Sequence, residues 1–347
     1  MDQIKLNKII LSNWRSYSFL EKEIKPNLNE IIGPNGTGKT NLLESIFFGL
    51  KGFSFRIPSN NHGLIKNNET LSVIKLIFSD QTETVVKLNQ QTDKTTKHFI
   101  INGIKRTKIV KPKLPVVIFE PNLNLIISGD KSSRRDLIDM LTSIYSPVHT
   151  NLLKNYKRAL IQRNNILKRN QKYTNKNLVE DIFVWDLQLS SLGAKIISNR
   201  LKTIERINLI IEEKYCAVSS KIKDSLKLNY QSSTEFDGDE TVISSLLLNK
   251  LNSKILKDSI IGHTTCGPHR DDIEFRLNHQ NASVSASRGE ARSIIIAIKL
   301  IEIDETIRIY NQQPIVLLDD IYSELDSTRQ TKLNGYLKDM QVIVTGV

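Results

Sequence analysis

Over the first third of the chain, short apolar runs alternate with polar breaks, at residues 4–11, 30–32, 72–78, 84–88 and 97–101. Turn-prone residues such as Ser79-Asp80-Gln81-Thr82 and Asn102-Gly103 separate them, a punctuation that predicts antiparallel hairpins. A further apolar run, 115–119, stops at Glu120-Pro121, because proline cannot continue a strand ladder. From 133 to 211 the period becomes helical. Leu153, Tyr156, Leu160 and Leu167 recur at helical spacing, as do Leu189, Leu192, Ile196, Leu201, Ile204, Ile207 and Ile211. Only residues 170–177 separate these stripes, so they predict an antiparallel helical pair whose apolar faces share one seam. A polar stretch at 231–240 marks a loop or boundary. Strands and helices return past residue 261 and end in the apolar runs 314–318 and 342–344. The expected architecture is a mixed α/β head built from both ends of the chain, with a helical arm inserted. Residues 1–125 form the first part of the head, 126–262 the arm, and 263–347 the return.

Composition adds a class and a charge. With 347 residues, 39% hydrophobic and 25% charged, the chain can bury a sizeable core and reads as soluble and globular. Its net charge of +12 favours an anionic partner, and nucleic acid leads. The segment 151–172 concentrates that charge. It carries Lys154, Lys157, Arg158, Arg163, Lys168, Arg169 and Lys172 without an acid, where a merely solvated helix would interleave signs. No aromatic ladder accompanies these cations, which points to DNA backbone recognition without sequence preference. Cys216 and Cys266, 50 positions apart, make neither a disulfide framework nor a thiolate metal site, and a reducing compartment fits. The N-terminus lacks the apolar core of a signal peptide, and no apolar stretch approaches the ~18 residues of a membrane span. A cytosolic protein with no membrane attachment is expected.

The sharpest chemical signal is Gly33-Pro34-Asn35-Gly36-Thr37-Gly38-Lys39-Thr40, which fits G-x-x-x-x-G-K-[ST] at every fixed position. It follows a strand and opens a helix over 39–50 that Gly52 closes. Glycines let successive N–H groups turn inward to phosphate oxygens, and the helix N-terminus adds partial positive charge. Lys39 is expected on the β- and γ-phosphates of ATP and the Thr40 hydroxyl on Mg2+. A phosphate loop needs an acidic partner, and the apolar run 314–318 ends in Asp319 and Asp320. Asp319 at the strand tip would hold the magnesium; Asp320 would orient or deprotonate the attacking water. Lys39 and Asp319 lie 280 positions apart, much farther than in small P-loop switches, so a large insertion separates them.

Ser287-Arg288-Gly289-Glu290 precedes a long helical run over 291–310 and resembles the signature of ABC-type ATPases, which faces the γ-phosphate of a partner subunit. Ser323-Glu324-Leu325-Asp326 resembles their D-loop. Further segments narrow the resemblance to the RecF family of bacterial recombination-mediator ATPases and extend it over essentially the whole chain. They are Leu11-Ser12-Asn13-Trp14-Arg15-Ser16-Tyr17, Ser133-Arg134-Arg135-Asp136-Leu137-Ile138-Asp139 and Gln162-Arg163-Asn164-Asn165-Ile166-Leu167-Lys168. Gly267-Pro268-His269-Arg270-Asp271-Asp272 and the stretches 286–292 and 317–326 complete the set. The resemblance implies an ABC/SMC-like head with a short helical lobe, weak ATPase activity, and an ATP-dependent homodimer that binds DNA. It also implies cooperation with RecO and RecR in loading RecA at gaps, as part of replication, repair and the SOS response to DNA damage. The rivals are an ABC-type ATPase of another role, SMC-like or transporter-associated, and an ATPase-coupled nuclease, which would need an additional acidic metal cluster.

Several positions depart from the pattern. No histidine follows the final strand at Thr345, which disfavours fast hydrolysis. Glu290 stands where glutamine is usual, and its charge is unfavourable near a γ-phosphate unless it points away. A further short segment beyond Val347 would be expected, and the glutamine of a Q-loop is expected in the loop after Phe119. His269, Asp271 and Asp272 read as a hydrogen-bonded turn, with a metal centre as the lesser reading. Arg15 and Tyr17 are candidates for nucleotide contact or for packing on the strand surface.

Overall fold

The computed structural model describes residues 3–57, 61, 63–91, 94–107, 109, 113–121, 124–172, 177–219, 224–234 and 239–346. In chain order the elements begin with β1 (Leu6–Trp14), β2 (Tyr17–Glu23), β3 (Leu28–Ile32), α1 (Lys39–Lys51), β4 (Leu71–Phe78), β5 (Glu83–Gln91), β6 (Lys94–Ile101), β7 (Ile104–Arg106) and β8 (Val116–Phe119). Then come α2 (Asn124–Ser128), α3 (Lys131–Tyr145), α4 (His149–Lys172), α5 (Leu178–Asn208), α6 (Ile211–Val218), β9 (Leu226–Gln231), α7 (Glu240–Ser253) and α8 (Ile255–Ile261). The chain closes with β10 (Asp272–Leu277), β11 (Gln280–Asn281), α9 (Ala282–Ser285), α10 (Arg288–Tyr310), β12 (Ile315–Asp319), α11 (Ser327–Leu337) and β13 (Val342–Gly346). Two compact units result, Met1–Leu123 with Glu302–Val347, and Asn124–Ile301.

In the first unit, β2-β1-β4-β5-β6-β7 make an antiparallel sheet and β3-β13-β12-β8 a parallel one. Burial separates the two kinds of strand. β4 alternates buried and accessible positions, as a half-solvated antiparallel strand does. β8 and β12 are buried at every residue, which explains their uninterrupted apolar runs. Asn102 and Gly103 both take positive φ, 50° and 79°, and form the two-residue I′ turn between β6 and β7. The run expected at 4–11 is a longer hairpin in which Trp14 pairs with Tyr17. Its second strand, β2, carries no clean apolar alternation because it lies at the sheet edge, with Phe19 exposed among charges.

Helix α1 lies between these sheets. It meets β1, β4 and β5 of one and β8, β12 and β13 of the other. Both flanks therefore need apolar cover, and residues 42–50 are buried at every position. Gly49 leaves no room for a side chain: a Cβ there would lie 2.6 Å from Leu76 Cδ1 and 3.1 Å from Leu76 Cγ.

The second unit is the helical arm. Leu167 packs near Leu178 and Ile182, Arg163 pairs with Asp186, and Tyr156 packs with Leu189 and Ile196, so α4 and α5 run antiparallel along one seam. Their connection, residues 173–176, lies outside the described residues, as do residues 235–238 of the expected 231–240 loop. Residues 263–301, expected with the returning head, fall in this unit because β10 pairs along its full length with β9.

Three buried arginines brace the arm. Arg134 forks onto Asp272 at 2.8 and 3.0 Å, and Arg200 forks onto Asp139 at 2.7 Å twice. Arg163 reaches Asp186 at 2.5 Å and Asp258 at 2.7 Å and is fully buried. Its expected place among the DNA-facing cations is therefore corrected, since acids from α5 and α8 compensate it. Lys154, Lys157, Arg158, Lys168 and Arg169 are exposed, as expected of a basic face.

Packing around α1 yields a paired prediction. Gly49→Ala should destabilise the chain by about 1–3 kcal/mol through overpacking. Gly335→Ala, on exposed α11 with nothing within 4 Å of the new methyl, should stabilise it by up to about 1 kcal/mol. Thermal melts of the two variants check the contrast.

Candidate nucleotide site

The phosphate loop connects β3 to α1, and the parallel register brings its partners to the same edge. Asp319 pairs with Thr345 across β12 and β13, and Gly346 pairs with Ile32 across β13 and β3. The carboxyl ends of three parallel strands thus converge on the loop, the usual place for a ligand in such sheets. Gly36 and Gly38 take φ of 84° and 97°. A side chain at Gly38 would also collide with Ser16 Oγ at 2.8 Å, so both backbone angle and space demand glycine there. The Lys39 ammonium donates to the Gly33 carbonyl and, at 2.9 Å, to the Pro34 carbonyl, and so lies over the loop. Asn35 is exposed, and the Thr37 hydroxyl donates to the Pro34 carbonyl at 3.0 Å.

The structure brings the two expected magnesium ligands together, the Thr40 hydroxyl donating to Asp319 Oδ1 at 2.9 Å. The same oxygen accepts from Thr345 Oγ1 at 2.9 Å, and Thr345 Oγ1 accepts from the Asp320 N–H at 3.0 Å. Burial raises the Asp319 pKa above its ordinary value; the two threonine hydroxyls and Arg56 oppose this, and Asp320 adds to it. A buried carboxylate and a hydroxyl, close together at the mouth of a loop of N–H groups, form a hard-oxygen set suited to magnesium beside a triphosphate. Asp320 turns away from the strand with φ of 51° and remains partly accessible. Ser323 Oγ donates to the Asp320 carbonyl at 2.7 Å, and Asp326 caps α11 through the Arg329 N–H at 2.9 Å, so the D-loop-like segment is tied to the acid pair.

A clamp absent from the motif pattern surrounds the first turns of α1. Glu44, fully buried, accepts from Arg15 Nε at 2.9 Å and Nη2 at 2.7 Å, and also from Ser54 Oγ. Arg56 lies 3.8 Å from the same carboxylate and donates to Asn41 Oδ1 at 3.1 Å. The Trp14 indole N–H donates to the Asn41 carbonyl at 2.9 Å, and the Tyr17 hydroxyl to the Gly38 carbonyl at 3.1 Å. Two loops, 14–17 and 54–56, are thereby pinned to the helix that carries Lys39 and Thr40. Arg15 has φ of 50°, a conformation its pair with Glu44 helps to hold. Arg15 and Tyr17 thus grip the phosphate-loop helix. The sequence signal was the one charge inside the largely apolar stretch 42–50, which requires a buried partner.

Ser287, Arg288, Gly289 and Glu290 lie in the second unit at the start of α10. Glu290 Oε2 accepts from the Ser287 N–H and Oγ, both at 2.8 Å, and the Glu290 N–H donates back to Ser287 Oγ at 3.3 Å. This is a capping box, legible as S-x-x-E. The carboxylate folds back onto Ser287 and neutralises the helix end. Residues 122 and 123, in the expected Q-loop region, lie outside the described residues.

His269 is structural. Its Nε2 can only donate to the Thr264 carbonyl, at 3.3 Å, so Nδ1 accepts from the Tyr156 hydroxyl at 2.8 Å. Asp271 accepts from Tyr230 and Ser233, while Asp272 holds Arg134. Among the described residues, no group of three or more His, Cys, Asp or Glu is placed to hold a metal ion.

The model of the RecF/RecN/SMC N-terminal domain family matches residues 5–347. DNA replication and repair protein RecF of Lachnoclostridium phytofermentans is 33% identical over 96% of this chain and 90% of its own length. The chain belongs to the RecF family. A RecF of Streptococcus agalactiae serotype V is 32% identical over 98% of this chain and 90% of its own length. The structure described as recombination mediator protein RecF-ATPrS in the RecFOR pathway superposes with a TM-score of 0.89 at 26% identity, covering 100% of this chain and 93% of that one. The RecF-ATP structure of the same pathway gives 0.85 at 28% identity, covering 99% and 93%. An Smc head bound to the C-terminal winged helix of ScpA shares the fold, at a TM-score of 0.52 and 16% identity over 99% of this chain and 89% of that one. The ABC/SMC-like head expected from the family motifs is therefore the observed fold.

Two predictions follow the geometry. Glu44→Leu strips the partly buried Arg15 of its carboxylate and should cost about 1–3 kcal/mol of stability, the usual effect of leaving a polar group without its partner; Glu44→Gln should cost less, and urea melts rank them. Burial holds the His269 pKa down at about 4, with Arg270, Arg135 and Arg163 adding to the depression. The unfolded chain takes up this proton near pH 6.5 and the folded chain only near 4. Stability should therefore fall as pH drops through that window and then level off for this group. His269→Gln should flatten the window in urea titrations across it.

Proposed function

We propose that the protein is an ATP-gated DNA clamp of recombinational repair and replication-fork maintenance, with the nucleotide acting as a binding switch. The observation carrying this reading is the joint of Thr40, Asp319 and Thr345 at the mouth of the phosphate loop, in a chain of the RecF family. Solved relatives described as RecF-ATP support ATP as the nucleotide.

In this reading the N–H groups of residues 35–40 and the Lys39 ammonium bind the phosphates, a phosphate oxygen replacing the Gly33 and Pro34 carbonyls as acceptor for Lys39. Thr40 and Asp319 hold magnesium, which supplies charge neutralisation to the transferring phosphoryl group. Asp320 orients the attacking water and takes its proton. Ser287, Arg288, Gly289 and Glu290 of a second copy meet the γ-phosphate, with Ser287 and the first N–H groups of α10 as donors once Glu290 yields. ATP joins two heads and hydrolysis releases them. The exposed cations of α4 contact DNA phosphates, with single-stranded or gapped DNA as the substrate. RecO and RecR are the partners for loading RecA.

Lys39→Ala should weaken ATP binding by about 1.5–3 kcal/mol or more, at least a tenfold rise in Kd by calorimetry. Asp320→Asn should bind ATP normally and accumulate as a dimer. Sedimentation velocity with ATP, ADP and no nucleotide decides the matter: equal dimer populations in all three would sink the switch.

A further inference from the structure

An open groove of about 600 Å³ runs between the two long helices of the arm. From α4 come Asn155, Arg158 and Gln162; from α5 come Trp185, Gln188 and Leu192. The size suits a nucleotide-sized ligand. Trp185 packs part of its ring against the α4–α5 seam and leaves part accessible, so the indole is held in place at the groove wall. The three amides each offer donors and an acceptor, which matches the edge of any base without selecting one. Arg158 supplies a cation, its neighbours Lys154 and Lys157 are exposed, and the described residues lining the groove include no acid.

We infer that this groove receives one unstacked base of a single DNA strand, with the base against the Trp185 indole and its phosphate at the Arg158 guanidinium. This rests on the DNA-binding reading above and adds to it the side chains that would select a single strand. Bases in a duplex are stacked on each other and cannot enter, whereas those of a gap can, and base–aromatic stacking is tolerant of sequence. The expected absence of aromatic contacts beside the basic helix is thereby revised, because the aromatic comes from the facing helix, 27 positions after Arg158. An acidic peptide is the rival occupant, but a single lining cation among amides answers a base better than a run of carboxylates.

The chain has two tryptophans, and Trp14 is fully buried, so emission changes on binding that disappear in Trp185→Leu report Trp185. The full chain with ATP is titrated with a thymidine oligonucleotide, an abasic oligonucleotide of equal length, and a duplex of that length. Thymidine strands should quench emission and abasic strands should not. Read by the anisotropy of a dye-labelled strand, since the variant loses the reporter, Trp185→Leu should weaken thymidine binding about tenfold, the size of one stacked base, and duplex binding less than about twofold. Trp185→Phe, which keeps the packing, should give a smaller loss in the same order. Arg158→Gln should lower the salt slope by about one and leave quenching at saturation intact. Quenching by the abasic strand, equal losses on strand and duplex, or displacement by polyglutamate instead of thymidine strands overturns the assignment. A wild-type chain that binds none of the three overturns the DNA reading itself; one that binds all three with unchanged emission overturns the groove alone.

Discussion

The nucleotide site depends on parallel pairing between strands from opposite ends of the chain. β13 lies between β3 and β12, so Gly346 meets Ile32 and Thr345 meets Asp319. Without that register Thr40 and Asp319, 279 positions apart, would have no reason to meet. Parallel strands cannot be joined by a tight turn, so the connection must leave the sheet and return. The entropy of closing such a loop grows only logarithmically with its length, so a large insertion is tolerated where a short crossover would also have served. The helical arm occupies that permissive position. Its length is a property of the topology as much as of the function.

Buried carboxylates recur as the means of fixing this arrangement. Asp319 collects Thr40 and Thr345, and Glu44 collects Arg15 and Ser54 with Arg56 nearby. In the arm, Asp139, Asp186, Asp258 and Asp272 receive Arg200, Arg163 and Arg134. Such pairs add little net stability over apolar packing, yet breaking one leaves a costly orphan, so they specify which partners meet. This gives a physical meaning to the family-like segments outside the phosphate loop. The segment 133–139 holds Arg134 and Asp139, 162–168 holds Arg163, and 267–272 holds Asp272 and the Pro268 carbonyl that accepts from Arg200. Each holds at least one end of a buried ionic contact, and the Arg134–Asp272 pair has both ends within them.

The fold was legible wherever one period or one motif dominated. Fully apolar runs announced β8 and β12, helical stripes announced α4 and α5, the phosphate loop was visible as residue types at fixed spacing, and Asp319 as the acid that ends an apolar run. Pairings made in space were not. Arg163 carries the same letter as exposed Arg158, and only the wheel position relative to Asp186 and Asp258 distinguishes them. Thr345 lies one residue inside the end of β13 without any motif, and its role depends on the register with Asp319. Ser287 and Glu290 were weighed as phosphate contacts, although S-x-x-E also encodes a helix cap. β2 hid because an edge strand can be charged on both faces.

Those buried contacts also alter the charge argument, though in opposite senses locally and globally. Removing Arg163 from the exposed set weakens the basic face of α4, which keeps Lys154, Lys157, Arg158, Lys168 and Arg169. Across the arm, however, the buried contacts take three arginines and four aspartates out of the surface count. The accessible surface is therefore more basic than the net charge of +12 implies. Screening limits that field to about 10 Å at ordinary ionic strength, so it raises encounter rates with a polyanion without choosing its form. Selection between strand and duplex needs groups that touch bases, and charge counting cannot supply it.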